Sequence, residues 1–271
     1  MERENESRPN GLLTEEEAKK AGIEYPDPPE TKCLHCGKIL TPLGMVGFSG
    51  SFIWIGTQEC GCEGATSERE EQAKKEAEKE AFRQKERFIR CGIKRRFLDA
   101  QITHAGISEY LNVFSDIPGV GLYIVGPSRA GKTYAASAIA KAFYLSGYHT
   151  LITTSLSMLD AVKASFDGDI KSGISRYASC DVLIVDDLGK ENANSWVMTT
   201  LFQIFNERYE AVKPTIVTSQ YLPDELKARM ARSGEHESAE AIIERLKETC
   251  RLVRLPKRRN VNLMKDVLRD A

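Results

Sequence analysis

The sequence predicts an α/β domain, in which a parallel β-sheet is flanked by helices, behind a small cysteine-rich module and a charged helix. Short apolar runs alternate with helical patterns from about residue 91 onward, as in parallel sheets that are covered on both faces. Four of the seven cysteines lie within residues 33–62, and residues 65–90 contain neither Gly nor Pro. These observations divide the chain into three parts.

The composition excludes several classes of protein. The chain has 271 residues, of which 41% are hydrophobic and 28% charged, a balance typical of a globular protein rather than a disordered or fibrous one. The formal net charge of −1 argues against a uniformly basic nucleic-acid coat. That value is a cancellation, because residues 1–66 and 101–250 are net acidic whereas residues 67–100 and 251–271 are net basic.

The sequence gives no sign of a membrane-spanning or secreted protein. No stretch approaches the roughly 18 apolar residues that a membrane-spanning helix requires, and the N-terminus is too charged for a secretory signal. We therefore expect a cytoplasmic protein with no membrane contact. Disulfide frameworks are rare in that compartment, so metal binding and ordinary burial are the two explanations for the cysteines.

The N-terminal part is predicted to begin with a flexible segment, residues 1–27. Its first ten residues are polar, and the Tyr-Pro-Asp-Pro-Pro of residues 25–29 is typical of an extended linker. The cysteine-rich module occupies residues 28–66. A charged linker helix over residues 67–90 follows and is expected to be mostly solvated, because its apolar residues are sparse. The α/β domain occupies residues 91–271.

Two closely spaced cysteine pairs predict a zinc site. Cys33 and Cys36 are spaced C-x-x-C, and Cys60 and Cys62 are spaced C-x-C. Four thiolates can bind Zn²⁺ tetrahedrally, and two pairs on glycine-rich turns are typical of small zinc modules. His35, inside the first pair, could replace one thiolate. The other three cysteines are isolated, and we expect them to be core residues.

Five apolar runs predict the strands of the α/β domain: residues 121–125, 150–154, 181–185, 215–218 and 251–255. Helical segments are predicted near residues 132–145, 156–166 and 195–211, with two further helices in residues 223–248. Alternation of strand and helix along the chain favours a parallel sheet, because a parallel connection has to cross over the sheet.

A phosphate-binding loop is predicted directly after the first strand. The sequence there follows the pattern G-x-x-x-x-G-K-T and opens the first helix of the domain, which is the context that this motif requires. Backbone N–H groups and the helix N-terminus would surround the phosphates of a nucleotide, Lys132 would contact the β and γ oxygens, and Thr133 would reach Mg²⁺. The predicted nucleotide-binding residues are Gly126, Pro127, Ser128, Arg129, Ala130, Gly131, Lys132 and Thr133.

Two aspartates follow the third predicted strand. Asp186 and Asp187 would project at the C-terminal end of that strand, where ligands bind in open α/β sheets. Asp186 is the candidate Mg²⁺ ligand, and Asp187 is the candidate catalytic residue that orients or deprotonates the attacking water. At the end of the next strand, Gln220 or Ser219 is the candidate for a contact with the γ-phosphate.

These motifs give the sequence a resemblance to a known family. The Asp-Asp-Leu-Gly of residues 186–189, the N-x-R-Y-x-x-x-x-P-T-I-x-T-S of residues 206–219 and the segments 91–100 and 121–133 resemble the DnaC/DnaI-type bacterial and phage replicative helicase loaders. Those proteins are AAA+ ATPases of the initiator branch, and the IstB transposition helper ATPases are close relatives. The resemblance covers residues 88–258. A Cys-rich module followed by a charged helix is also common in such loaders.

The resemblance implies an AAA+ P-loop fold and roles for particular residues. Lys132 and Thr133 would contact the nucleotide and Mg²⁺, and Gln220 would be the γ-phosphate sensor. Arg245 would act as an arginine finger on ATP bound to a neighbouring subunit, which implies a homo-oligomer. Without the resemblance, Arg245 would be read as the polar side of an amphipathic helix. The sequence departs from the family pattern at Arg129, where Gly is usual, and at Gln220, where Asn is usual.

The expected function is ATP-dependent loading of the replicative hexameric DNA helicase. The zinc module would bind the helicase, and the AAA+ domain would bind ATP, Mg²⁺ and single-stranded DNA. Basic residues 94–96 and 257–259 are candidates for contacts with DNA phosphates, with a solvated surface as the alternative. Two other functions stay open: an IstB-like transposition helper, and a zinc adaptor that does not hydrolyse ATP. The intact phosphate loop and acidic pair favour an ATPase over the adaptor.

Overall fold

The fold was taken from a computed structural model, which describes residues 11–47, 50–165 and 170–257. The chain divides into two compact units, Met1–Phe82 and Arg83–Ala271. One long helix, α2 (Glu63–Arg90), contributes residues to both units.

The N-terminal unit is built from two small hairpins. Its elements are α1 (Glu15–Lys20), β1 (Thr31–Lys32), β2 (Ile39–Leu40), β3 (Pro42–Val46), β4 (Phe52–Thr57) and the first part of α2 (Glu63–Arg90). Strands β1 and β2 pair antiparallel, as do β3 and β4. Phe52 and Trp54, both on β4, pack edge to face with ring centroids 4.9 Å apart, and the Tyr25 ring packs against both.

Residues 11–27, which the sequence assigns to a flexible segment, contain a helix with defined contacts. Thr14 and Glu17 form a capping box at the start of α1, which satisfies backbone N–H groups that a helix otherwise leaves unpaired. Ala18 is fully buried, and the Trp54 indole N–H donates to Pro26 O at 2.8 Å. A few apolar residues and one cap therefore order a stretch whose overall composition is polar.

The C-terminal unit contains the predicted α/β domain. Its elements are α3 (Ala105–Asn112), β5 (Gly121–Val125), α4 (Lys132–Leu145), β6 (Thr150–Thr154), α5 (Ser155–Ala164), α6 (Ile170–Ser179), β7 (Val182–Leu188), α7 (Ser195–Glu210), β8 (Thr215–Ser219), α8 (Pro223–Met230), α9 (His236–Thr249) and β9 (Cys250–Arg254). All five predicted strands are present, and α3 and α6 are helices that the sequence analysis does not predict.

The five strands form one sheet in the order β6-β7-β8-β5-β9, and every pairing between them is parallel. Alternate residues along each strand enter different cores: Tyr123 and Val125 pack on one face of the sheet, and Leu122 and Ile124 on the other. Both faces are thus covered by helices, which explains the continuous apolar runs in the sequence. The predicted α/β class with a parallel sheet flanked by helices is confirmed.

Arg208, on α7, is fully buried and hydrogen-bonds to two segments, one before β7 and one at the start of β8. Its guanidinium donates to Tyr177 O at 2.9 Å, to Cys180 O at 2.8 Å and to Pro214 O at 2.7 Å, and its Nε donates to the Thr215 hydroxyl at 3.0 Å. Burial lowers the pKa of Arg208. The Arg of the N-x-R-Y pattern is therefore a structural residue, because it satisfies carbonyl groups that would otherwise be buried without donors.

Replacing Arg208 by Met is expected to lower the free energy of unfolding by about 3 kcal/mol, because buried carbonyl oxygens lose their donors. Urea denaturation followed by circular dichroism measures this change. The matched control is Arg176→Met: Arg176 is exposed, on α6, and its replacement should change the stability by less than about 0.5 kcal/mol. Equal stability losses in the two variants would contradict the structural role of Arg208.

Candidate nucleotide site

The loop between β5 and α4 wraps around the N-terminus of α4. Gly131 has a left-handed backbone (φ +94°) directly before the first helical residue. A Cβ at Gly126 would lie 2.6 Å from Leu255 O, so that position accepts only glycine. Both glycines of the predicted motif are therefore required by the backbone path, which leaves the first N–H groups of α4 at the loop.

Lys132 is the first residue of α4 and is only 6% exposed. Its Nζ donates to Gly126 O at 2.8 Å and to Pro127 O at 3.0 Å. Burial lowers the pKa of Lys132, and the carboxylates of Asp187 and Asp186 partly oppose that effect. A desolvated ammonium group at a helix N-terminus is suited to binding phosphate oxygens, because it adds its charge to that of the helix dipole.

Arg129 has a left-handed backbone, with φ +65°. Non-glycine residues pay roughly 1–2 kcal/mol for this conformation, which explains why glycine is usual at the position. The Arg129 side chain is exposed, as are those of Pro127 and Ser128, whereas Ala130 is buried. Arg129 therefore adds an exposed cationic side chain to the loop.

Asp186 and Asp187 lie within the last three residues of β7. In the sheet, β8 separates β7 from β5. Asp186 is 3% exposed; its Oδ2 accepts from the Thr133 hydroxyl at 2.9 Å, and its Oδ1 accepts from the Thr218 hydroxyl at 2.7 Å. Burial is the largest effect on the Asp186 carboxyl and raises its pKa. The structure thus brings together the two residues that the sequence assigns to Mg²⁺, a hydroxyl and a carboxylate, and these are oxygen ligands of the kind that Mg²⁺ prefers.

Asp187 has a different setting from its neighbour. Its φ is +61°, and the pairing of β7 with β8 is irregular between Val185 and Leu188. Its Oδ2 lies 2.8 Å from Lys190 Nζ, and its side chain is about a quarter exposed. Asp187 therefore differs from the buried Asp186 in both its backbone conformation and its exposure.

Thr218 is a site residue that the sequence analysis missed. It lies on β8 and is fully buried. Its hydroxyl accepts from the Asp187 N–H at 2.9 Å while it donates to Asp186, so one oxygen fixes both members of the acidic pair. Threonine is common in strands for its shape alone, and only the parallel register of β7 and β8 reveals this contact.

Replacing Thr218 by Val should lower the free energy of unfolding by about 1–3 kcal/mol, because the Asp187 N–H and the Asp186 carboxylate each lose a partner in a buried site. It should also raise the Mg²⁺ concentration needed for ATP hydrolysis, because Asp186 is no longer held in place. Thermal unfolding and a Mg²⁺ titration measure the two effects. Thr218→Ser keeps the hydroxyl and serves as the control. A Val variant with the stability and Mg²⁺ dependence of the Ser variant would refute this role.

The two candidates for the γ-phosphate contact differ in setting. The Ser219 hydroxyl donates to Leu188 O at 2.8 Å and accepts from the Tyr221 N–H at 3.2 Å, so it serves the backbone. Gln220 is exposed, directly after β8. Of the two, Gln220 is the residue whose side chain is available to a ligand.

A cavity of about 180 Å³ adjoins the phosphate loop. Its wall is formed by Ala130, Gly131 and Tyr134 on the loop side, and the segment 101–104 and Leu255 line it elsewhere. The Tyr134 hydroxyl accepts from the Gln101 N–H at 3.1 Å. The cavity borders Gly131 and therefore adjoins the predicted phosphate loop. The sequence analysis does not predict this pocket.

The four predicted zinc ligands form one cluster. The sulfur atoms of Cys33, Cys36, Cys60 and Cys62 all lie within 4.8 Å of one another, with Cys33–Cys62 at 3.7 Å and Cys36–Cys60 at 3.5 Å. Sulfur atoms at the corners of a tetrahedron around Zn²⁺, with Zn–S near 2.3 Å, would be about 3.8 Å apart. Backbone N–H groups of Cys36 and His35 lower the pKa of Cys33 to about 6. The spacing of the four sulfur atoms fits zinc.

The first turns of α2 support this cluster. Arg69 donates to Cys60 O at 2.6 Å and pairs with Glu59. Glu68 Oε2 lies 2.7 Å from His35 Nε2, so His35 joins the cysteine loop to the helix instead of adding to the sulfur cluster. Gly64 permits this approach, because a Cβ there would lie 2.8 Å from the His35 ring.

Comparison with protein families matches residues 119–260, more than half of the chain, to the family described as IstB-like ATP binding protein. The chain belongs to this family. The matched segment contains the phosphate loop, the acidic pair, Gln220 and Arg245, so the residues of the candidate nucleotide site are those of an ATP-binding family.

Two relatives of this IstB-like chain are informative. The replicative helicase loader DnaI of Bacillus subtilis is 28% identical over 145 residues, which are 52% of this chain and 47% of DnaI. A putative insertion sequence ATP-binding protein of Sinorhizobium fredii is 27% identical over 103 residues, 38% of this chain and 35% of that protein. This chain therefore spans about half of the first relative and about a third of the second.

Among solved structures, the DnaC helicase loader is similar, with a TM-score of 0.52 and 23% identity; the match covers 60% of this chain and 99% of that one. The likeness concerns the fold. Together with the sheet order and the phosphate loop, it confirms that the IstB-like chain has an AAA+ P-loop fold.

In this IstB-like fold, Arg245 contacts α7 and its own helix instead of the phosphate loop. Its guanidinium lies over the rings of Phe202 and Tyr209, and Nη1 donates to Ala241 O at 3.2 Å. The side chain also lines a cavity of about 400 Å³ near the amino ends of β5 and β8.

The basic residues 94–96 are exposed, and the basic residues 257–259 lie mostly outside the described part of the chain. Lys94, Arg95 and Arg96 are all exposed, around a short 3₁₀ turn. The positive charge of Lys94 favours a lower pKa of Asp186, but burial, the largest effect, raises it. Arg258 and Arg259 fall outside the described part of the chain.

Within the described residues, no helix combines the length and the apolar character needed to cross a membrane.

Proposed function

We propose that this chain is an ATP-dependent loader of the replicative hexameric DNA helicase. The observation that carries the nucleotide part is the meeting of two motifs: the Thr133 hydroxyl lies 2.9 Å from Asp186, beside the buried Lys132. The loader part is supported by the similarity to the B. subtilis loader and by the four-cysteine module ahead of the ATP-binding domain, which would bind the helicase. ATP would switch the loader between assembly states, and its hydrolysis would release the partner.

Each residue of the site has a defined part in this proposal. Lys132 and the loop N–H groups, from Gly126 to Thr133, would bind the phosphates. Thr133 and Asp186 would hold Mg²⁺, which supplies charge neutralisation at the β and γ oxygens. Asp187 would orient or deprotonate the attacking water, a step that requires its carboxylate to leave Lys190 or to share it. Gln220 would contact the γ-phosphate.

Two further features belong to the proposal. Arg245 would act on ATP bound by a neighbouring copy of the chain, so the active form would be a homo-oligomer. The exposed residues 94–96 would contact the phosphates of single-stranded DNA.

The test is a pull-down from a lysate of the source cell with the full chain as bait. Recovery of the replicative helicase, and its loss when residues 1–66 are deleted, would support the loader. Recovery of a transposase would overturn it in favour of the IstB-like helper, which the family description and the insertion-sequence relative favour. A second measurement is phosphate release with and without single-stranded DNA. Hydrolysis of ATP would exclude the zinc adaptor, whereas ATP that is bound but stays intact would support it.

A further inference from the structure

Arg245 is held by two aromatic rings on one face of a neighbouring helix. Its Cζ lies 4.9 Å from the ring centroid of Phe202 and 5.4 Å from that of Tyr209. The two aromatic residues are seven positions apart on α7, so they lie two turns apart on the same face. A guanidinium over aromatic rings is attracted by their negative faces without being neutralised.

The hydrogen bonds of Arg245 leave part of the guanidinium unused. Nη1 donates to Ala241 O, and Nε is buried without a hydrogen-bond partner in the described part of the chain. The nearby carboxylate of Glu248 accepts from the Tyr209 hydroxyl at 2.9 Å. This bond fixes the Tyr209 ring and occupies the Glu248 carboxylate.

The aromatic partners of Arg245 have a different chemical effect from a carboxylate. A carboxylate paired with Arg245 would neutralise the guanidinium and compete with any phosphate that approaches it. Aromatic rings restrict the side chain and keep its charge available. The cavity of about 400 Å³ beside Arg245, lined also by Tyr209 and Val212, gives an incoming group room to reach it.

We infer that Phe202 and Tyr209 are positioning residues that hold Arg245 ready for the γ-phosphate of a nucleotide bound by a second copy of the chain. This inference rests on the proposed function, because it presupposes that Arg245 acts between subunits. The aromatic pair, Phe202 and Tyr209, would lower the freedom of the arginine before the subunits meet, so less ordering is needed when the phosphate arrives.

The experiment mixes two full-length variants, each defective in one half of the site. A Lys132→Ala chain still carries Arg245, and an Arg245→Ala chain still binds ATP. Neither should hydrolyse ATP alone, whereas their mixture should recover activity because the first chain donates Arg245 to the nucleotide of the second. Steady-state phosphate release is the readout, and thermal unfolding checks that each variant is folded.

Tyr209→Leu is then added to one chain at a time. The inference predicts about a tenfold loss of kcat, with KM for ATP little changed, only when the Leu is on the chain that carries Arg245. Tyr209→Phe keeps the ring and should restore most of the activity there; Phe202→Leu should behave like Tyr209→Leu. An equal loss from either chain would show a structural role and overturn the inference.

The outcomes separate the inference from the proposal beneath it. If the mixture of Lys132→Ala and Arg245→Ala chains stays inactive while the unsubstituted protein hydrolyses ATP, Arg245 does not act between subunits. That result would overturn both the proposed role of Arg245 and the inference about Phe202 and Tyr209. If the mixture is active and Tyr209→Leu on the Arg245-bearing chain has no effect, the inference alone is overturned.

Discussion

Replacing Lys132 by Ala is expected to lower ATP hydrolysis by about 100- to 1000-fold, a loss typical of removing one preorganised charged donor. Lys132 is buried at the N-terminus of α4, 2.8 Å from Gly126 O, so no exposed lysine can take its place. Binding of a fluorescent ATP analogue and release of phosphate measure the two consequences. Binding should weaken together with turnover, because the ammonium group would contact the β and γ oxygens in the ground state as well.

The matched control is Lys163→Ala. Lys163 lies on α5 and is exposed, so its replacement removes the same charge away from the loop and should leave binding and hydrolysis unchanged. The free energy of unfolding of the Lys132 variant should stay close to that of the unsubstituted protein, since the loss of two hydrogen bonds is offset by the removal of a buried charge. A Lys132→Ala protein that bound and hydrolysed ATP normally would disprove the assignment of the nucleotide site.

The sheet could be predicted from the sequence because its strands are buried on both faces. The bounds of β5 and β6 match the predicted runs, since strand and apolar run coincide there. β7 continues to Leu188, three residues beyond its predicted end, because Asp186 and Asp187 are polar yet remain part of the strand. Helix α6 could not be predicted from its own sequence. Contacts with other elements specify it, such as the hydrogen bond from Arg208 to Tyr177 O.

Site residues that belong to a contiguous sequence motif could be predicted. Site residues that are identified only by contacts between distant segments could not. The phosphate loop is a contiguous pattern whose glycines are required by its backbone. Thr218 and the cavity beside Gly131 depend on strand register and on the path of residues 101–104, which local sequence does not encode. His35 shows the same limit: its spacing suits a metal ligand, but its partner, Glu68, is 33 residues away.

The N-terminal unit has too little core to be stable without a further constraint. In its described part, the buried hydrophobic residues are only Ala18, Cys33, Leu43 and Phe52, and Cys33 belongs to the sulfur cluster. Domains with so few buried residues usually depend on disulfides or on a structural metal. Because the four cysteines have the spacing of a zinc site, the metal is expected to supply the missing stability.

Replacing Cys36 by Ser, or removing metal with a chelator, is therefore expected to unfold the N-terminal unit, since roughly 10–16 kcal/mol of metal binding is coupled to folding in small zinc modules. Metal analysis should fall from about one zinc ion per chain to nearly none. In a Trp196→Phe background Trp54 is the sole indole, and its emission should shift to the red as its contacts with Phe52 and Pro26 are lost.

The control for this prediction is Cys250→Ser. Cys250 lies outside the cluster, and its Sγ donates to Thr215 O, a bond that a serine hydroxyl can replace. This variant should keep its zinc and its Trp54 emission. ATP binding should survive in the Cys36→Ser protein, because the phosphate loop belongs to the other unit, whose core is large. Full zinc content and unchanged Trp54 emission in Cys36→Ser would show that the cluster is not the metal site and that the small core is sufficient by itself.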